Sequence, residues 1–129
     1  MGVVHRFIGR EGAFEWEGRA PEEYIAETAK GASINWLIGP REKAPHFAIR
    51  YIEVEPGGHT SLDNHEHEHG VMILRGKGKV LMGQEEVEVG FGDILFVPGN
   101  ERHQFRNAGD EPFGFLCVIP RIQAWSAER

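Results

Sequence analysis

From Phe47 to Ile119 the chain is cut into short apolar runs by glycine, proline and asparagine, with turns recurring at intervals of roughly eight to twelve residues. That cadence argues against a helical bundle and for many short strands closed into a sandwich or barrel. Phe47 to Glu55 forms one run, closed by Pro56-Gly57-Gly58. Thr60–His65 and Gly70–Arg75 read as a pair, and Lys79–Met82 and Glu85–Val89 flank Gly83-Gln84 as a hairpin. Asp93–Val97, His103–Asn107 and Phe113–Ile119 complete the series. Glycine supplies 17 of the 129 residues, roughly twice its usual share of about 7%.

The first part of the chain is less regular. Val3 to Ile8 reads as a short strand, and Pro21-Glu22-Glu23 with Tyr24, Ile25 and Ala29 predicts a short helix stopped by Gly31. Ile34, Trp36 and Ile38 alternate with Ser33, Asn35 and Leu37, which predicts a strand ended by Gly39-Pro40. Near the other end, Ile122 and Trp125 are expected to pack back on the body.

Charge narrows the partners. Lys+Arg is 14 against 20 Asp+Glu, a formal charge of −6, and no basic stripe is visible. Nucleic acid is therefore not expected as a partner, and neither is an anionic membrane. No apolar run approaches the roughly 18 residues of a membrane span. Met1 to Gly12 lacks the apolar core of a signal peptide. The single cysteine, Cys117, cannot form an internal disulfide, which fits a cytoplasmic setting. It sits among Leu116, Val118 and Ile119 and reads as a buried apolar residue rather than a nucleophile.

Four of the seven histidines carry the functional signal, three of them in Gly58-His59-Thr60-Ser61-Leu62-Asp63-Asn64-His65-Glu66-His67-Glu68-His69-Gly70. The stretch resembles the first motif of the cupin superfamily, which runs glycine, His-x-His, three or four residues, Glu, six residues, glycine. Anchored on Gly76, the Glu position falls on His69, the second histidine on His65 and the first on Asp63. The second motif is matched by Gly92, Pro98, Asn100, His103 and Asn107, with asparagine in place of the last glycine. The 15 residues between Gly76 and Gly92 suit a compact member of the family.

The resemblance implies an all-β, jelly-roll barrel over residues 47–119, preceded by a 1–46 extension with short strands and one short helix, and followed by a 120–129 tail, all in one domain. It also implies a single divalent transition metal held by Asp63, His65, His69 and His103. That nitrogen and oxygen set suits Fe, Mn, Ni, Cu or Zn better than Ca or Mg. Asp63, if unligated, is the candidate catalytic base. A shifted turn would instead pair His65 with His67 and release Asp63. His5, His46 and His59 read as ordinary.

On the run from Phe47, Arg50 is the single charge on a face shared with Ala48, Ile52 and Val54. It either anchors an anionic substrate group or completes a structural ion pair. By parity with His69 and His103, Val71, Ile73 and Phe105 line the same interior as a pocket for a small organic ligand. Met72 and Leu74 face the other way, against the N-terminal extension or a second subunit. The family implies a homodimer. Two functions stand: a metal-dependent enzyme of dioxygenase, isomerase or lyase type, or a non-catalytic module that binds a small ligand or metal.

Overall fold

The structure is a computed structural model that describes residues 2–10 and 12–121. The strands are β1 (Glu22–Glu23), β2 (Lys30–Ile38), β3 (Phe47–His59), β4 (His69–Arg75), β5 (Lys77–Met82), β6 (Glu85–Gly90), β7 (Ile94–Val97), β8 (His103–Asn107) and β9 (Phe113–Pro120). They form one curled sheet in the order β6-β5-β8-β3-β9-β4-β7, with β2 on the other edge of β3 and β1 beyond it. The all-β, cupin-like expectation holds. Among the described residues the helical structure is one 3-10 turn at Pro40–Glu42, and no helix is long and apolar enough to cross a membrane.

The core follows from strand alternation, because successive side chains point to opposite faces. Ala48, Ile52 and Val54 of β3, Val71 and Ile73 of β4, and Phe113, Phe115, Cys117 and Ile119 of β9 all point inward and are buried. β9 lies between β3 and β4, so Cys117 stands opposite Arg50 on one side and Val71 on the other. Phe105 of β8 stacks on Phe115 at 4.4 Å between ring centroids and joins the same cluster.

Four local expectations are corrected. Residues 21–31 are not a helix: Glu22 and Glu23 pair with Ile34 and Ser33, and Tyr24 N–H donates to the Ala32 carbonyl. The backbone donors that a first helical turn would leave free are spent on β2 instead. Next, β3 does not stop at Pro56. It runs on to His59 through an irregularity in its pairing with β2, where a proline without N–H is tolerated. Gly58 is required there, because a Cβ would press on the carbonyl oxygens of Lys30 and Gly31. Finally, Thr60–His65 is not a strand. It is tied to β8 by an antiparallel bridge between Asp63 and His103 and by the Thr60 N–H, which donates to the Phe105 carbonyl at 2.8 Å. Val3–Ile8 likewise forms no strand, only a bridge from Phe7 to Trp16. The expected packing of Ile122 and Trp125 lies outside the described residues.

The part of the N-terminal segment before β1 covers the outer side of the barrel. Phe14 stacks on Tyr51 at 5.9 Å, Trp16 lies 5.0 Å from the same ring, and Arg75 sits over Phe14. The Tyr51 hydroxyl donates to Glu53 at 2.8 Å, and Arg75 pairs with Glu53 at 3.2 Å. Gly114 of β9 makes room for that hydroxyl, since any Cβ there would collide with it. His5 and Arg19 both reach Glu42, which ties the segment to the 3-10 turn.

Candidate metal centre

Three loops and strand starts converge at one end of the barrel. His69 opens β4 and His103 opens β8, while His65 hangs in the loop between β3 and β4. The bridge at Asp63 sets that loop beside β8, and the Asn100 N–H donates to the His65 carbonyl, holding it from the far side. Asn100 takes a left-handed φ of 65°, where the family motif has glycine. Asparagine is among the few other residues that adopt this conformation readily.

His65, His69 and His103 bring one ligand atom each to within 4.8 Å of one another. His69 and His103 are each 5% exposed, and His65 is partly open. Hydrogen bonds orient the two buried rings. His103 Nδ1 lies 2.9 Å from the Glu101 carbonyl, which can only accept, so Nδ1 carries the proton and Nε2 is a bare lone pair. His69 Nδ1 contacts Cys117 Sγ at 3.2 Å, and its Nε2 is buried with no hydrogen-bond partner. Buried polar atoms normally find partners. An orphaned imidazole nitrogen facing two more imidazoles therefore fits a divalent cation. The second-nitrogen anchoring of His69 and His103 is also the pattern that fixes metal-binding histidines.

The electrostatics keep the ligand nitrogens neutral. Burial, then the nearby Arg50 guanidinium, pushes the His69 pKa down to about 3. Burial also lowers His65, with Asp63 opposing, and lowers His67. A neutral imidazole is the form that binds metal.

The other expected site residues fall in different places. Asp63 and His67 lie outside the three-histidine group. Asp63 Oδ2 accepts a hydrogen bond from Ser61 Oγ and stands 3.7 Å from His65 Nε2. The His67 ring lies against both His65 and His69, with centroids at 4.8 and 4.9 Å, while those two rings are 5.5 Å from each other. Arg50 and Phe105 border a small inner chamber of about 30 Å³ beside the histidines. Val71 and Ile73 are buried in the core and do not border it. That chamber has room for an ion or one or two water molecules. Above it opens a cavity of about 460 Å³, bordered by Tyr24, Ile34, Trp36, Arg50, His65 and His67 among others, within the size range of small-molecule sites.

Sequence reasoning missed Tyr24, Ser61, Trp36 and the role of Cys117. Cys117 Sγ accepts a hydrogen bond from Arg50 Nη2 at 3.0 Å while it meets His69. Its inward parity on Phe113–Ile119 was legible, but its facing Arg50 depends on the pairing of two strands far apart in the chain. Tyr24 and Trp36 reach the cavity because β1 and β2 extend the sheet across its mouth, which no local pattern encodes.

Residues 50–119 match the cupin domain family, Cupin_2. A curated relative from Rhodospirillum rubrum, 1-methylthio-D-xylulose 5-phosphate methylsulfurylase, is 48% identical over 107 residues, covering 83% of this chain and 63% of that protein. The chain thus spans less than two thirds of that relative's length. A cupin-2 domain of solved structure, also from Rhodospirillum rubrum, is 34% identical with a TM-score of 0.77, over 88% of this chain and 77% of the other. The polyketide cyclase RemF from Streptomyces resistomycificus is 27% identical with a TM-score of 0.74, over 92% and 80%. With the barrel, the two motifs and the converging histidines in agreement with these matches, the chain belongs to the cupin domain family.

Proposed function

We propose that this chain is a metal-dependent cupin enzyme acting on a small anionic organic molecule, with His65, His69 and His103 holding one divalent transition metal ion. The observation that carries the reading is the buried His69 Nε2, which lacks a partner and faces the same chamber as the other two histidines. The all-imidazole donor set favours Fe, Mn, Ni, Cu or Zn. When bound, the ion supplies Lewis-acid polarisation of a substrate oxygen. The chain's own residues do the rest. Phe105 and Phe115 close the chamber from below and limit water, and Arg50 offers a cation to the ligand. Asp63 stands 3.7 Å from the His65 ring and steadies it, as Cys117 does for His69 and the Glu101 carbonyl for His103.

The relative's name joins a ketose phosphate to sulfur chemistry, which supports a phosphorylated, carbonyl-bearing ligand and isomerase- or lyase-type chemistry. The test has two parts. Elemental analysis of the purified chain should find about one transition metal per chain, restored after chelation by added Mn, Fe, Ni, Cu or Zn. His103→Ala should abolish uptake and His67→Ala should leave it. A chain that refuses all five metals overturns the proposal. Turnover is then assayed on 1-methylthio-D-xylulose 5-phosphate and on a panel of diketones, phenols and uronates, with oxygen uptake followed in parallel. Metal binding with no turnover on any of them would favour the non-catalytic module. The same proposal includes a homodimer, supported by exposed Ile94, Phe96 and Met72 on neighbouring strands β7 and β4. Light scattering on the eluting protein should give twice the 14.5 kDa chain mass.

A further inference from the structure

The polarity of the groups bordering the cavity narrows what can bind there, and this rests on the reading of the cavity as the substrate site. The Tyr24 hydroxyl lies 2.9 Å from Ser61 Oγ, and Ser61 Oγ donates to Asp63 Oδ2. A serine hydroxyl has one proton and a carboxylate can only accept. Ser61 therefore spends its proton on Asp63, and its oxygen must accept from Tyr24. Ser61 is 4% exposed, so solvent does not re-sort the chain. Tyr24 has spent its only proton inward, and toward the cavity its oxygen offers lone pairs alone. The ring is held there by two ties: Tyr24 N–H to the Ala32 carbonyl, and Leu62 N–H to Thr28 Oγ1 at 2.9 Å.

Arg50 borders the same two spaces. Its guanidinium lies over the Trp36 ring at 5.6 Å, one Nη donates to Cys117, and its buried Nε has no partner. Among the described residues no carboxylate pairs with it. A guanidinium with donors to spare in a partly buried wall calls for an anion. We propose that Tyr24 and Arg50 together select the ligand: Arg50 binds its anionic group, and the Tyr24 oxygen accepts a hydrogen bond from a neighbouring hydroxyl. The preferred class is a hydroxylated anion, either a polyol phosphate or a hydroxy acid. A ligand with an acceptor in place of that hydroxyl would set two lone-pair oxygens against each other.

The experiment is calorimetric titration of the full chain with two matched pairs, glycerol 3-phosphate against propyl phosphate and lactate against propionate. In wild type the hydroxylated member of a pair binds roughly tenfold tighter, the worth of one hydrogen bond. Tyr24→Phe brings the ratio to near one and leaves the propyl phosphate and propionate affinities unchanged. Arg50→Gln weakens all four ligands. The tighter pair identifies phosphate or carboxylate as the anion. Equal binding within both pairs in wild type, a ratio that survives Tyr24→Phe, or failure of all four to bind overturns the proposal. The titrations are run with chelator present, so they are independent of the metal. A chain that takes up metal but shows no hydroxyl preference loses this inference alone, and one that shows the preference but refuses metal loses only the proposed function.

Discussion

Acidification of the metal-free protein should expose the cost of burying His69. Its pKa is about 3 in the folded chain against an ordinary 6.5. A histidine whose folded pKa is depressed binds its proton more readily in the unfolded chain, so stability is full above about pH 6.5 and falls as pH drops toward 3. Between pH 7 and pH 5 the unfolded chain takes up most of a proton at this residue and the folded chain almost none. The loss is about 2 kcal/mol, an upper figure because the ring edge borders a chamber that can admit water. With an unfolding entropy of about 2.1 cal/mol/K per residue, this corresponds to a fall in Tm of about 7 °C for a chain of this size. The assay is thermal unfolding with chelator at pH 7 and pH 5, for wild type and His69→Asn. His65 and His67, also lowered by burial, contribute to both proteins and cancel in the difference. Wild type should lose several degrees more than the variant. An equal loss in the two would refute the reasoning.

Other consequences are read by simpler means. Gly114→Ala places a Cβ against the Tyr51 hydroxyl and should cost about 1–3 kcal/mol in urea unfolding; an unchanged midpoint would show that Tyr51 does not occupy that space. Asn100→Val forces a β-branched residue into left-handed backbone and should cost roughly 1–2 kcal/mol, with Asn100→Gly close to neutral. Cys117 is 1% exposed, so labelling by a thiol reagent should track global unfolding, and rapid labelling under native conditions would contradict its placement. Phe115→Ala removes a buried ring stacked on Phe105 and should cost about 3–5 kcal/mol, measured by the same unfolding titration.

Much of the barrel is legible in the sequence. Strand alternation alone put Val71 and Ile73 on the face of His69, and Phe105 on the face of His103, because side chains in a strand repeat every two residues. His103–Asn107 was delimited without error, and the hairpin around Gly83-Gln84 was found where the turn residues stand. The breaks came where distant pairing overrode local preference. Pro21–Gly31 has the composition of a short helix, but its backbone donors found β2. Pro56-Gly57-Gly58 has the composition of a turn, but β3 passes through it on a bulge.

The same division runs through the site. The resemblance to the two cupin motifs singled out His65, His69 and His103, together with Asp63, by their distances from turn glycines. It could not settle Asp63 or His67, because a one-residue change in a loop exchanges them. Tertiary structure decided that His69 Nε2 is buried without a partner, and that the Asp63 carboxylate is engaged by Ser61. It also decided that Tyr24 and Trp36 border the cavity with Arg50. The physical reason is range: alternation and turn chemistry act over a few residues, whereas the meeting of residues 24, 50, 61 and 117 is made by sheet pairing across the whole chain.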